Sequence, residues 1–284
     1  MRITIFGIPA ALTQSTAKLL AVATAGLLVQ NAAARAEAAP EQIDLSKFPA
    51  SAVQDVVVPV PSEVFNVLDK LGSPNWKGEL RESLGKNSGN RAQVALLLGT
   101  VIAEGFIAVE AEDSERVKQI GRDVLDLSRA VGVEKAVVSR SKAIVDKADG
   151  RDWAGARQEL DGALTDVRGA MEELNDEDLA QLVSLGGWVR GTEVLTSIVQ
   201  KDYKPQRAEL LHQPELLNYF DRRLDDMSPR LRKSVLVSQL KSMLKEIRPL
   251  ILEGEGRKIS PESVERIHSV TSQMVLTITT TDAA

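Results

Sequence analysis

From Ser62 onward, stretches with apolar residues every three or four positions alternate with short polar breaks marked by glycine or proline. That spacing is the signature of helices buried along one face. Ser62 is placed to cap a first helix over 62–71 that stops at Gly72. Ser73-Pro74 opens a second, a capping residue followed by proline at the first helical position. After a loop over 85–90, the stretch 91–112 is apolar on nearly every side, with Ala95, Gly99 and Ala103 at four-residue spacing. It is expected to be the most buried helix. Its apolar run, 94–109, is too short to span a bilayer and contains Glu104.

Three amphipathic helices follow. The first opens at Asp113 or Ser114, carries Val117, Ile120, Val124, Leu125 and Leu127 near helical period, and ends at Gly132. The second, over 134–148, stops at Gly150. The third, capped by Asp152 and running to 174, places Trp153, Ala156, Leu160, Leu164, Val167 and Met171 on one face. Asp176 then opens a long helix reaching about 200, and its acidic start suits the positive end of the helix dipole. With only two to five residues between these runs, neighbours are expected to form antiparallel hairpins.

That long helix contains the most unusual stretch of the chain, Ser184-Leu185-Gly186-Gly187-Trp188-Val189-Arg190-Gly191. Each glycine costs about 1 kcal/mol relative to alanine inside a helix. Close backbone approach, a bend or a ligand contact has to compensate. Gly187 and Gly191 are four apart and leave a flat patch on one face. The small-residue helix around Ala95, Gly99 and Ala103 is the matching partner, so a close helix–helix crossing is expected at the centre.

Beyond Tyr203 the pattern is shorter and more polar. Pro205 and Pro214 mark two helix starts, and Ser228-Pro229 begins a helix to about 248. A glycine-rich break over 253–256 precedes Ser260-Pro261-Glu262, a strong helix start. The tail over 275–281 is β-branched and compatible with a strand, but it continues the helical pattern and is read as helix.

The N-terminal part reads differently. Residues 1–36 resemble a secretory signal, with the apolar run 19–29 after Lys18 and the A-x-A pattern Ala34-Arg35-Ala36 before Glu37. The alternative is an uncleaved membrane anchor; either way the body is expected outside the cytoplasm, in the periplasm of a Gram-negative cell or otherwise secreted. Residues 37–61 hold Pro40, Pro49, Pro59 and Pro61, which favours an extended strap over helix. The apolar run 56–61 is read as docking in a groove of the body, in preference to a free linker holding the fold away from a membrane. The expected fold is all-α: an antiparallel multi-helix bundle or irregular helical array of about ten helices with an extended N-terminal strap. Its parts are the leader 1–36, the strap 37–61, a main helical domain 62–252 and a C-terminal helix, 253–284, packed on it.

Composition narrows function mostly by exclusion. Aromatic residues are 4%, against surfaces built on stacking. Cysteine is absent, which removes disulfides, thiol catalysis and cysteine-ligated metals. The 35 bases and 40 acids give a charge of −5. Loss of Arg2, Lys18 and Arg35 with the leader makes the body about −8, a poor general binder of nucleic acid. No cofactor is implied, and no membrane span is expected in the mature chain.

Candidate chemistry is sparse. Glu104 is the one acid before Glu110 on an apolar helix; enclosure in apolar surroundings favours a protonated carboxyl, which suits a general acid and raises the reading of a cell-wall hydrolase. Arg190 and Glu193 are three apart and able to pair, and Trp188 with Arg190 could hold a small anion or other small ligand. Arg190 is also expected to pair with Glu104 across the glycine- and alanine-lined helices. The only histidines lie in His212-Gln-Pro-Glu215 and Glu265-Arg-Ile-His268, a spacing used by di-iron bundles, though Pro214 puts His212 at a helix start. Residues 85–89 are glycine-rich but lack phosphate-loop spacing. Residues 221–248 are locally basic and are expected to complement the acidic N-terminal helices. The preferred reading is an exported, non-enzymatic helical protein that binds a partner or supports the cell envelope.

Overall fold

The computed structural model describes the backbone of residues 50–53 and 56–59, and the full structure of residues 74–82, 84, 90–252 and 258–280. All belong to one compact unit, Asp44–Ala284. The expected leader over 1–36, the helix over 62–71 and the breaks over 85–89 and 253–256 lie outside the described residues.

The architecture is all-α. Eight helices of three turns or more are α1 (Arg91–Glu110), α2 (Ser114–Val131), α3 (Glu134–Asp149), α4 (Trp153–Glu173), α5 (Glu177–Lys201), α6 (Pro214–Asp226), α7 (Val235–Leu252) and α8 (Pro261–Thr279). α1 is apolar all round because it is enclosed all round: α2, α4, α5 and α8 pack against it, and from Val94 to Val109 every residue is buried. By length and composition it could cross a membrane, yet 94% of its apolar window lies inside the protein. α8 packs on α5 and α7, and α6 lies against α5 and α7. The tail over 275–281 continues α8 as helix to Thr279.

Consecutive helices from α1 to α5 are joined by two or three residues and pack against each other, so each link reverses the chain. Four reversals leave α1 and α5 parallel. Arg91 at the start of α1 accordingly reaches Asp176 at the start of α5, 2.7 Å away. This contact also replaces the expected cap, since the Asp176 side chain makes no capping hydrogen bond. Three of the reversals turn on a left-handed residue that is not glycine: Glu112, Arg151 and Asn175, with φ of 52°, 54° and 55°. Gly150, expected as a stop, keeps right-handed dihedrals, and the turn falls one residue later. Gly132 does turn left-handed, with φ 89°.

The expected crossing of α1 and α5 is present, but through a different glycine. A Cβ on Gly99 would lie 1.8 Å from the Val183 carbonyl oxygen, and one on Gly186 would lie 2.0 Å from that of Leu96. Gly187 faces Gly99 at ordinary contact distance, while Gly191 has nothing within 4 Å. The flat patch is therefore Gly186 with Gly187, not Gly187 with Gly191.

Other departures are local. Ser73-Pro74 leads not to a helix but to one 3-10 turn, Trp76–Glu79, capped by the Asn75 side chain. It ends because the chain becomes extended at Leu80 to run along α1. The helix expected from Ser228 is split into a turn, Pro229–Arg232, and α7, whose start is capped by Ser234. In the strap, β1 (Ala50–Val53) and β2 (Val56–Pro59) pair antiparallel, with Ala50 opposite Pro59 and Val53 opposite Val56. The extended residues thus fold back on one another, and β2 lies beside α6.

Candidate functional site

The parallel course of α1 and α5 brings their small-residue patches and the residues beyond them into step. Five residues past Gly99 stands Glu104, and four past Gly186 stands Arg190. Both side chains are buried, Glu104 at 0% exposure and Arg190 at 2%. The Arg190 Nη2 and Nε atoms lie 2.7 Å and 2.8 Å from Glu104 Oε2. The expected cross-helix ion pair is formed.

It is one edge of a larger cluster. Arg190 Nη1 donates to Glu193 Oε2 at 2.7 Å, within α5. Arg190 Nη2 also donates to the Glu79 carbonyl at 2.5 Å. Glu104 Oε1 accepts the Arg81 backbone N–H at 2.7 Å, and Arg116 Nη2 of α2 stands 3.6 Å from it. The same Arg116 nitrogen donates to the Arg81 carbonyl at 2.7 Å. The Arg81 side chain pairs with Glu193. At the rim, Lys201 Nζ donates to Glu79 Oε1 at 2.5 Å. Three carboxylates, of Glu79, Glu104 and Glu193, thus meet four cations, of Arg81, Arg116, Arg190 and Lys201.

A charge pair removed from water is stable only when further hydrogen bonds satisfy its remaining lone pairs and protons. Here each nitrogen of Arg190 and each oxygen of Glu104 has a partner, and much of that completion comes from main-chain groups of residues 79–81. With residues 79–81 in place, Glu104 presents no open oxygen to a substrate. Comparison with protein-family models, curated proteins and solved structures finds no match for the chain.

Of the other candidates, Glu193 joins the cluster and Trp188 does not. Two residues along a helix is more than half a turn, and Trp188 points toward α6. There its Nε1 donates to Gln213 Oε1 at 3.0 Å and its ring lies 5.5 Å from that of Phe220. Trp188 and Arg190 therefore face different neighbours. The histidines also separate. His212 Nδ1 lies 3.0 Å from the Ile251 carbonyl, whereas His268 on α8 lies 3.2 Å from Thr196 Oγ1 and 3.2 Å from the Glu193 carbonyl. Glu215 and Glu265 are exposed, and no metal-binding group of three or more acids and histidines occurs among the described residues. His268, weighed from sequence as a ligand, instead supports the α5 backbone at Glu193.

Several cations of the basic stretch 221–248 pair within the stretch itself, where complementing the acidic N-terminal helices was expected. Lys241 pairs with Asp225, Arg248 with Asp221 at 3.0 Å, and Arg232 donates to the Asp225 carbonyl at 2.9 Å. Arg223 sits over the Tyr219 ring, 5.3 Å from its centre. The sequence reading missed Glu79, Arg81, Arg116 and Lys201 as site residues. Nothing in their local pattern marks them, since they join the cluster only through tertiary packing.

Proposed function

We propose that this chain is an exported, non-enzymatic helical protein that binds a partner at the cell envelope or supports it. One observation carries the non-enzymatic part: the buried carboxylate with the best claim to chemistry, Glu104, is fully committed to Arg190, Arg116 and the Arg81 N–H. A general acid must reach the atom it protonates, and this one is spent on holding three helices and a loop together. Export rests on the apolar run over 19–29 and the Ala34-Arg35-Ala36 pattern.

The test is expression of the full chain with a C-terminal tag, followed by cell fractionation and intact mass measurement. The expected outcome is an exported species beginning at Glu37, which captures a defined envelope component after cross-linking. A chain that stays cytoplasmic at full length removes the reading. Release of soluble fragments from purified peptidoglycan, abolished by Glu104→Gln in a folded protein, would replace it with the hydrolase reading.

A further inference from the structure

The contacts holding residues 76–82 resemble those by which a protein holds a foreign peptide. Three of them are made to main-chain atoms. The Glu79 carbonyl accepts from Arg190, the Arg81 N–H donates to Glu104, and the Arg81 carbonyl accepts from Arg116. Two are made by charge, Arg81 to Glu193 and Glu79 to Lys201. Trp76 is buried at the upstream end. Main-chain hydrogen bonds with a few side-chain readouts are the usual basis of extended-peptide recognition.

The segment is held by polar contacts and buries a single apolar side chain, Trp76. Its only regular structure is the single turn Trp76–Glu79, and Asn75, Lys77, Gly78 and Glu82 are exposed. Segments with few buried apolar contacts open at lower free energy than a core. The groove behind it is the opposite: rigid helices α1, α2 and α5 presenting Glu104, Arg190 and Glu193, each no more than 4% exposed. Stripping partners from such charges is costly, so replacing the occupant is favoured over leaving the groove empty.

We propose that the groove of α1, α2 and α5 is a peptide site for a partner polypeptide bearing an arginine, with residues 76–82 as its internal stand-in. The inference rests on the partner-binding reading above and locates it. Arginine is specified because Glu193 Oε1 takes the Arg81 guanidinium while Glu193 Oε2 is already held by Arg190. An acidic residue in that position would face Glu193 directly. A tryptophan five positions upstream fits the place of Trp76.

The probe is a fluorescein-labelled peptide of residues 74–82, titrated by anisotropy into full-length protein. In the parent the tethered segment competes at roughly millimolar effective concentration. The Trp76→Ala/Arg81→Ala double variant should therefore bind the peptide at least tenfold more tightly than the parent. Adding Glu193→Gln, or replacing the peptide's arginine by glutamate, should abolish that gain. A double variant that is helical and melts cooperatively yet fails to bind overturns the proposal. So does hydrogen exchange on the parent if the Arg81 amide exchanges only as slowly as the core amides of α1, a readout that stands even where the variant does not fold. A concentration-dependent dimer, lost on Arg81→Ala, would assign the groove to a second copy and overturn the choice of partner. Envelope capture undiminished by excess peptide overturns the groove and leaves the partner-binding reading standing. Peptide binding without any envelope capture does the reverse.

Discussion

Changing Gly99 to alanine adds one methyl group where α1 and α5 touch backbone to backbone. The new Cβ would lie 1.8 Å from the Val183 oxygen, 2.8 Å from its carbonyl carbon and 2.9 Å from the Gly187 nitrogen. Ordinary contact begins at 3.4 Å, so the helices must part by about 1.6 Å. The obstacle is main chain and cannot rotate aside. Parting the helices loosens Leu96, Leu98, Val183 and Leu185, all essentially unexposed. Overpacking a core costs about 1–3 kcal/mol and sometimes more, and a whole-helix displacement belongs at the top of that range. Alanine returns about 1 kcal/mol of helix propensity. The net loss should be at least about 2 kcal/mol.

The control is the same chemical change on the facing helix. Gly191 sits in α5, and a Cβ added there would meet nothing within 4 Å, so Gly191→Ala should gain the propensity of about 1 kcal/mol and lose nothing. Thermal melts followed by far-UV circular dichroism should show Gly99→Ala lowered by about 4–8 °C and Gly191→Ala raised by about 2–4 °C, at about 2–4 °C per kcal/mol for a body of this size. Urea midpoints should move in the same directions. Equal and small effects from both would mean that the crossing is looser than described. Destabilisation by Gly191→Ala would mean that a partner chain covers that face.

Gly162→Ala separates soft obstacles from hard ones. Its Cβ would meet the Arg140 guanidinium at 2.5 Å, but that group can swing away, losing half-buried pairs with Glu159 and Asp166 worth about 1 kcal/mol; the melt should move by less than the Gly99 variant and in either direction, and a loss as large as that of Gly99→Ala would contradict the account. Arg190→Met leaves Glu104 and Glu193 buried without their shared cation, and should cost about 3–5 kcal/mol in urea unfolding; a loss below about 1 kcal/mol would show that water reaches the cluster. Acid sensitivity should trace to capped and paired aspartates. The hydrogen bonds of Lys147 and the Gly155 N–H pull the Asp152 carboxyl below its ordinary value of 3.8, and Lys241 lowers Asp225 in the same way. A folded value below the unfolded one means that the stabilisation is complete above about 3.8 and is lost as pH falls through the lower folded value. Melting temperature should thus drop below about pH 4, and Lys147→Met should drop less steeply than the parent; identical acid slopes would exclude Asp152 as a contributor.

The helices were legible because periodicity and caps agreed. The stretch 91–112 announced a helix buried on every side, and Asp113, Asp152 and Ser260 do cap the helices that follow them. The reversals were less legible. Sequence places a stop at a glycine, yet Glu112, Arg151 and Asn175 take left-handed dihedrals at a cost of order 1–2 kcal/mol each. Each is held there by the N–H of the next residue reaching back to the preceding helix: Asp113 to Ala108 at 3.0 Å, Asp152 to Lys147 at 2.9 Å, Asp176 to Met171 at 2.8 Å. An aspartate that closes one helix and opens the next is thus the better signal here than glycine. The crossing was legible in kind but not in register, because Gly186 and Gly191 carry the same local cost and only the phase of α5 against α1 distinguishes them.

The ion pair of Glu104 and Arg190 was legible because each is a charge on an otherwise apolar, small-residue stretch of helix and such charges need a buried partner. Four tight reversals make α1 and α5 parallel, and the glycine contact fixes their register. Glu79 and Arg81 depend on the path of an irregular segment that carries no period, and Arg116 enters from a third helix. Physical chemistry nevertheless demanded something of the kind. Glu104, Arg190 and Glu193 alone sum to one uncompensated negative charge and leave Glu104 Oε1, Glu193 Oε1 and two of the five Arg190 protons unmet. The main chain of α1 and α5 cannot supply the missing groups, because its N–H and carbonyl groups are spent in the helices. Only a side chain from elsewhere, or a stretch of chain outside regular structure, has donors and acceptors to give. Arg116 is the first, and residues 79–81 are the second. A buried ion pair read from two helical sequences therefore carries a second expectation: a side chain from a third element, or an irregular stretch of polypeptide, must come to it.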